Sequence, residues 1–424
     1  MRILIVNTAE RTGGAAVAAH RLMEALNNNG EKARMLVRDR QSADVNVIAT
    51  GGGWRGRLRF LRERLAIFLR MGLSRKHLFE VDIANAGTDI TRLAAFREAD
   101  VVHLHWINQG FLSTATIRKI IDSGKPVVWT LHDLWPATGI CHYPRRCTAY
   151  SSGCGHCPYL PHEGSARDLS ASTWRRKQRA WGHGEIAFVA CSRWLAAEVK
   201  RSGLLQGSLI TQIPNPIDTR VYRPLPKAEA RRRHALPADK RLVLFVSQRL
   251  TDPRKGIAYF IDAVQQLKAR WPEAANTVGI VMMGSHAEEL APQLALPVYP
   301  LGYMSDEADI IAAYSAADLF VTPSLEDNLP NTIMEAMACG LPCVGFNTGG
   351  IPEMIDHRQN GYIATRGSAT DLADGMTWAL RDADHQALSA DAVAKVHRCY
   401  SPSSVALRYV EVYHQALAGT HYNI

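Results

Sequence analysis

The chain has 424 residues, 47% of them apolar and 21% charged, enough for about two domains with buried cores. It contains no apolar run of about eighteen residues, so no membrane-spanning helix is expected. The net charge of +9 suits an anionic partner, whether nucleic acid, phosphorylated ligand or acidic membrane.

The opening MRILIVNTAE lacks the apolar region and cleavage site of a signal peptide, so a cytoplasmic chain with reduced thiols is expected. RILIVN (2–7) reads as a buried strand. RTGGAAVAAHRL (11–22) follows as a glycine turn and a helix that packs through Val17, Leu22 and Leu26 and stops at Gly30. Between Arg55 and Lys76 lie eight basic residues and one acid, Glu63. In this segment (53–78), Trp54, Leu58, Leu61, Leu65, Phe68 and Leu69 recur near helical spacing. The pattern suits either a helix lying on an anionic membrane or an arginine-rich helix packed on a sheet.

ADVVHLHW (99–106), PVVWTLHD (126–133) and IAFVACS (186–192) continue the strand pattern, and the alternation argues a parallel, doubly wound sheet. His132 follows a strand. His103 and His105 alternate along another that Trp106 ends, where packing and a pocket-lining role both fit. IPNPIDTRVYRPLP (213–226) holds four prolines and reads as a linker. Strands at 241–250, 277–284, 318–324 and 341–347, with helices at 257–270 and 331–340, make a second α/β domain. The reading places an N-terminal domain at 1–215, joined by a C-terminal helix at about 402–420, and a second domain at 216–401. Two such domains facing a central cleft would bind ligands in loops that follow strands.

Three groups of residues carry candidate chemistry. Asp327 and Glu335 can accept hydrogen bonds from sugar hydroxyls beside a helix start, although Asp327 or Asn328 also suits a plain helix cap. Arg249 and Lys255 follow a strand end and suit a diphosphate, the one as a fork and the other as a point charge. Cys141, Cys147, Cys154 and Cys157 gather half of the chain's eight cysteines in one loop. Their spacing suits a structural zinc site with His142 and His156 as substitute ligands, but free thiols and disulfides stay open.

The segment PSLEDNLPNTIMEAMACGLPCVGFNTGGIPEMI (323–355) resembles the acidic signature of retaining nucleotide-sugar glycosyltransferases of the GT-B fold, the family 4-like, group 1 enzymes. EAMACG (335–340) and GGIPE (349–353) carry the likeness, while Asp327 stands where the family usually has Glu. The resemblance implies two Rossmann-like domains, the first on the acceptor side and the second holding a nucleoside diphosphate sugar. It implies that Glu335 binds the donor ribose, with Asn328 and Leu329 beside it. It implies that Arg249 and Lys255 hold the diphosphate and assist its departure without a catalytic metal. The usual spacing between these two is one residue shorter, so Arg254 is a rival. Gly13 and Gly14 would lie near the donor phosphates, and His132 and Asp327 near the reacting sugar. WTLHDLWPATGICHYPRRC also resembles a cysteine-bearing insertion in the branch that includes bacterial exopolysaccharide transferases.

The implied function is sugar transfer to a saccharide acceptor, lipid-linked, in surface polysaccharide assembly. It would take place in the cytoplasm or on the inner face of the membrane. An epimerase or hydrolase on the same fold and a non-catalytic polyanion-binding protein are the alternatives. No nucleic-acid recognition module is found.

Overall fold

Thirteen strands among the described residues, 1–51, 53–182 and 186–419, form two separate parallel sheets in the computed structural model. By chain contacts they belong to two units, Met1–Pro216 with Pro402–Ile424, and Ile217–Ser401.

The first sheet contains β1 (Arg2–Ala9), β2 (Lys32–Asp39), β3 (Val47–Ala49), β4 (Val101–Leu104), β5 (Val127–Leu131), β6 (Ala187–Ala190) and β7 (Ile210–Gln212). Their order is β3-β2-β1-β4-β5-β6-β7, and every pair is parallel. Residues Ile3 to Thr8 of β1 are all buried, as expected for a parallel strand covered on both faces. Helix α1 (Gly14–Asn28) covers one face. Its small residues Ala19 and Ala25 pack with Leu22 and Leu26 against Ile3, Ile5 and Val37. The C-terminal helix, Pro402–Leu417, joins this cluster through Val405, Tyr409 and Tyr413. Thr420, the last residue assigned to that helix from sequence, lies outside the described residues.

The second sheet contains β8 (Arg241–Arg249), β9 (Val278–Ser285), β10 (Val298–Gly302), β11 (Leu319–Thr322), β12 (Cys343–Phe346) and β13 (Gly361–Ala364), in the order β10-β9-β8-β11-β12-β13. The helix at Ile257–Arg270 covers it, and Phe260 stacks on Phe245 with ring centroids 4.9 Å apart. Full burial of each such side chain contributes about 1.5–3 kcal/mol.

Both sheets reverse strand order once, between β1 and β4 and between β8 and β11. Loops leaving the carboxyl ends of the two strands at such a reversal diverge to opposite sides and leave a crevice where ligands bind.

Candidate active site

In the second unit the candidate donor residues gather at the β8/β11 reversal. Arg249 is the last residue of β8; it is exposed, and its Nε donates to Thr251 Oγ1 at 3.1 Å. The chain then makes a tight turn, Pro253–Lys255, capped by the Asp252 side chain, which accepts from the Arg254 N–H. The next residue, Gly256, has φ 76°, and a Cβ there would sit 1.9 Å from the Pro323 carbonyl oxygen. Only glycine lets this turn press against the loop that follows β11.

Three contacts lock the two loops together. Leu325 N donates to Arg254 O at 2.8 Å, and Arg254 Nη1 donates to Glu326 O at 2.9 Å. Lys255 Nζ reaches Asp327 Oδ2 at 2.5 Å. Burial opposes ionisation of Asp327, but the charges of Lys255 and Arg254 and the N–H of Asn328 outweigh it and hold the carboxyl below its ordinary range. Asn328 and Leu329 are buried beside it. The helix Asn331–Ala338 follows and carries Glu335, whose Oε2 accepts from Tyr314 Oη at 3.0 Å. The turn thus sets Arg249, Arg254 and Lys255 at one strand end, beside Asp327 of the next loop, and Glu335 follows on the helix after that loop.

In the first unit the reversal lies between β1 and β4. Gly13, with φ 90°, precedes α1, and Gly14 is its first residue. Beside them, Thr8 Oγ1 and N both donate to Trp106 O, which joins the ends of the two strands. His132 directly follows β5. It shares a hydrogen bond with His105 at 2.9 Å through Nε2, and its Nδ1 lies 3.7 Å from Cys191 Sγ. Burial lowers His132 to about 4 against the opposing pull of Asp133, so the ring is neutral at pH 7. His103 is wholly buried between Tyr413 Oη, 2.7 Å from its Nδ1, and Thr130 Oγ1, 2.8 Å from its Nε2. It packs the C-terminal helix onto the sheet.

Comparison with known proteins places these features in a family. Residues 12–221 match Glycosyltransferase Family 4, and residues 240–382 match Glycosyl transferases group 1. The chain belongs to these glycosyltransferases. A D-inositol 3-phosphate glycosyltransferase of Thermobispora bispora is 30% identical over 224 residues, 50% of this chain and 52% of the relative. The phosphatidyl-myo-inositol mannosyltransferase of Mycolicibacterium smegmatis is 28% identical over 256 residues, 59% of this chain and 63% of the relative. The chain spans about half the length of the first of these curated relatives. Among solved structures, Anabaena HepE in complex with UDP aligns with TM-score 0.65 and 18% identity, covering 98% of this chain and 100% of that one. This likeness supports the GT-B fold.

The cysteine loop has a spacing that suits a structural zinc site. Cys141, Cys147, Cys154 and Cys157 do line one small cavity, together with Tyr150 and Tyr159. However, among the described residues no group of three or more His, Cys, Asp or Glu side chains is placed to hold a metal ion. The zinc set expected from the spacing is not assembled, and neither His142 nor His156 completes it. All eight cysteines are free, so no disulfide forms either. Cys141 and Cys157 pack in an apolar cluster with Ile67, Met71 and Ile83. Burial raises Cys154 to about 12 and Cys157 to about 11, which keeps these thiols protonated.

What pins the loop is charge. His142 bridges Asp82 at 2.7 Å through Nε2 and Asp133 at 2.7 Å through Nδ1. Burial opposes protonation of His142, but the two carboxylates prevail and raise it to about 10. Asp82 also pairs with buried Arg64, and Asp133 accepts from Trp106 Nε1 at 3.0 Å. The residue next to His132 is thus fixed by an imidazolium from the cysteine loop.

Sequence reasoning missed Tyr314, Asp82 and Asp133 as partners of candidate residues. It also missed Thr348, whose buried hydroxyl has no hydrogen-bond partner immediately before Gly349–Gly350. Its place beside GGIPE was the signal available for it.

Proposed function

We propose that the protein transfers a sugar from a nucleoside diphosphate sugar to a saccharide acceptor with retention of configuration. The observation that carries this reading is the set Arg249, Arg254, Lys255 and Asp327 at the strand-order reversal of the second sheet. Cations there suit a diphosphate, and Glu335 suits the ribose hydroxyls. HepE, solved with UDP, is consistent with such a donor.

In this reading the bond from the anomeric carbon to the diphosphate oxygen breaks as Arg249 and Lys255 take up the developing charge. The acceptor oxygen bonds to the same face of that carbon, and its proton passes to the departing phosphate. Neutral His132 serves the acceptor side as a hydrogen-bonding group, held by His105. The acceptor is read as lipid-linked and bound for surface polysaccharide. The mannosyltransferase relative, named for a phosphatidyl lipid, supports that choice.

The test is release of nucleoside diphosphate from a panel of UDP-, GDP-, ADP- and dTDP-sugars, with and without lipid-linked saccharides as acceptor. We expect release that requires the acceptor, with the donor's anomeric configuration kept in the product. Release without acceptor indicates a hydrolase, and an altered sugar without release indicates an epimerase. Salt-dependent polyanion binding with no turnover indicates the non-catalytic alternative.

A further inference from the structure

Helix α2 (Gly53–Arg70) has two faces of unusual character. At 100° per residue, Trp54, Leu58, Leu61, Leu65 and Leu69 fall within an arc of about 80°. All five point into solvent, with exposures of 69%, 57%, 52%, 56% and 58%. Beyond the helix end Leu73 and Phe79 are exposed as well, at 62% and 61%. Exposed Arg55 and Arg62 flank the stripe on one side and Arg57 on the other, and exposed Arg70, Arg75 and Lys76 follow. The single carboxylate between residues 53 and 79, Glu63, is turned inward, where it accepts from the N–H groups of Ile83 and Ala84.

The inner face is firmly mounted. Arg64 pairs with Asp82, and its Nη1 donates to Leu78 O at 2.6 Å. A Cβ on Gly110 would lie 2.7 Å from Phe60 N, so the helix backbone rests directly on the loop after β4. The leucines are therefore not the packing face of this helix. They are a second apolar face, left in water by the fold that buries the first.

We propose that this face of α2 docks the protein on an anionic lipid bilayer. The charge pattern selects the occupant: a stripe of leucines with a terminal Trp, arginines on both flanks and no exposed acid matches acyl chains beneath negative headgroups. Among the described residues no helix is long and apolar enough to cross a membrane, so the contact is with the surface. The docking does not depend on sugar transfer.

The test is co-sedimentation of the full chain with vesicles of phosphatidylcholine alone, or of phosphatidylcholine mixed with phosphatidylglycerol. The expected result is binding to the mixed vesicles only, weakened by salt. The double variant Leu61→Glu/Leu65→Glu is expected to weaken it at least about tenfold, and Arg55→Gln/Arg57→Gln/Arg62→Gln about a hundredfold. These side chains are exposed, so both variants should keep the parent melting temperature. Three results would overturn the proposal: no sedimentation of the parent with mixed vesicles, release of the bound protein by millimolar inorganic phosphate at constant ionic strength, or a dimer split by Leu65→Glu without vesicle binding.

Discussion

Replacing Lys255 by Ala is expected to lower kcat/KM for the donor sugar by about a thousandfold, with most of the loss in kcat. Removing one preorganised group that meets charge developing in a transition state typically costs about a hundred- to a thousandfold. The Lys255 ammonium stands on a glycine-locked turn and is held 2.5 Å from Asp327, so in the proposed reaction it is positioned before the substrate arrives. The same substitution leaves the Asp327 carboxylate buried without its main partner, so the melting temperature should fall as well. The two effects are separable. Lys255→Ala/Asp327→Ala removes the stranded charge and should recover stability without recovering turnover. Recovery of turnover in the double variant would mean that Lys255 serves only to neutralise Asp327.

His142→Ala is expected to destabilise the first unit by about 3–5 kcal/mol, the usual cost of stripping a partner from a buried ion pair. Asp133 and Asp82 would both lose the imidazolium that bridges them at 2.7 Å. The loss should depend on pH. His142 is raised to about 10 in the fold, against about 6.5 in an unfolded chain. Its stabilisation is therefore complete below about pH 6.5 and is lost as pH rises through 10. Melting temperatures of the parent and of His142→Ala should differ most near pH 6 and converge toward pH 10. A gap constant across that range would show that the loss is one of packing rather than charge.

The legible parts of the molecule were those written in short stretches of chain. The strand read at 277–284 announced itself by an apolar run and the helix read at 257–270 by its mix of apolar and polar residues, and the fold has them at Val278–Ser285 and Ile257–Arg270. EAMACG and GGIPE, each unbroken in sequence, led to the family. The strands that escaped notice are short or mixed. β3 and β7 have three residues each and β13 four, all at sheet edges, β10 contains Pro300, and β2 begins and ends on charged residues.

The pairings that build the candidate site were not legible, because they join distant residues. Lys255 and Asp327 are 72 positions apart, and Asp82 and His142 are 60 apart. The cysteine spacing brought the four thiols to one small cavity but could not show the loop's other partners. It describes how thiols follow one another in the chain, whereas the fold pins that loop through His142 and two carboxylates from elsewhere. For α2, periodicity gave the helix but left open which face was buried. Gly110 and Glu63 settle that, by holding the leucines outward.

The most direct test of the central claim, a nucleoside diphosphate sugar held by the second unit, is thermal stabilisation by the donor panel in parent and Glu335→Ala proteins, each referred to its own ligand-free melting temperature. One donor should stabilise the parent, by roughly 3 kcal/mol at a hundredfold excess over Kd, and Glu335→Ala should lose most of that shift. No shift with any donor, or an equal shift in the variant, would contradict that claim.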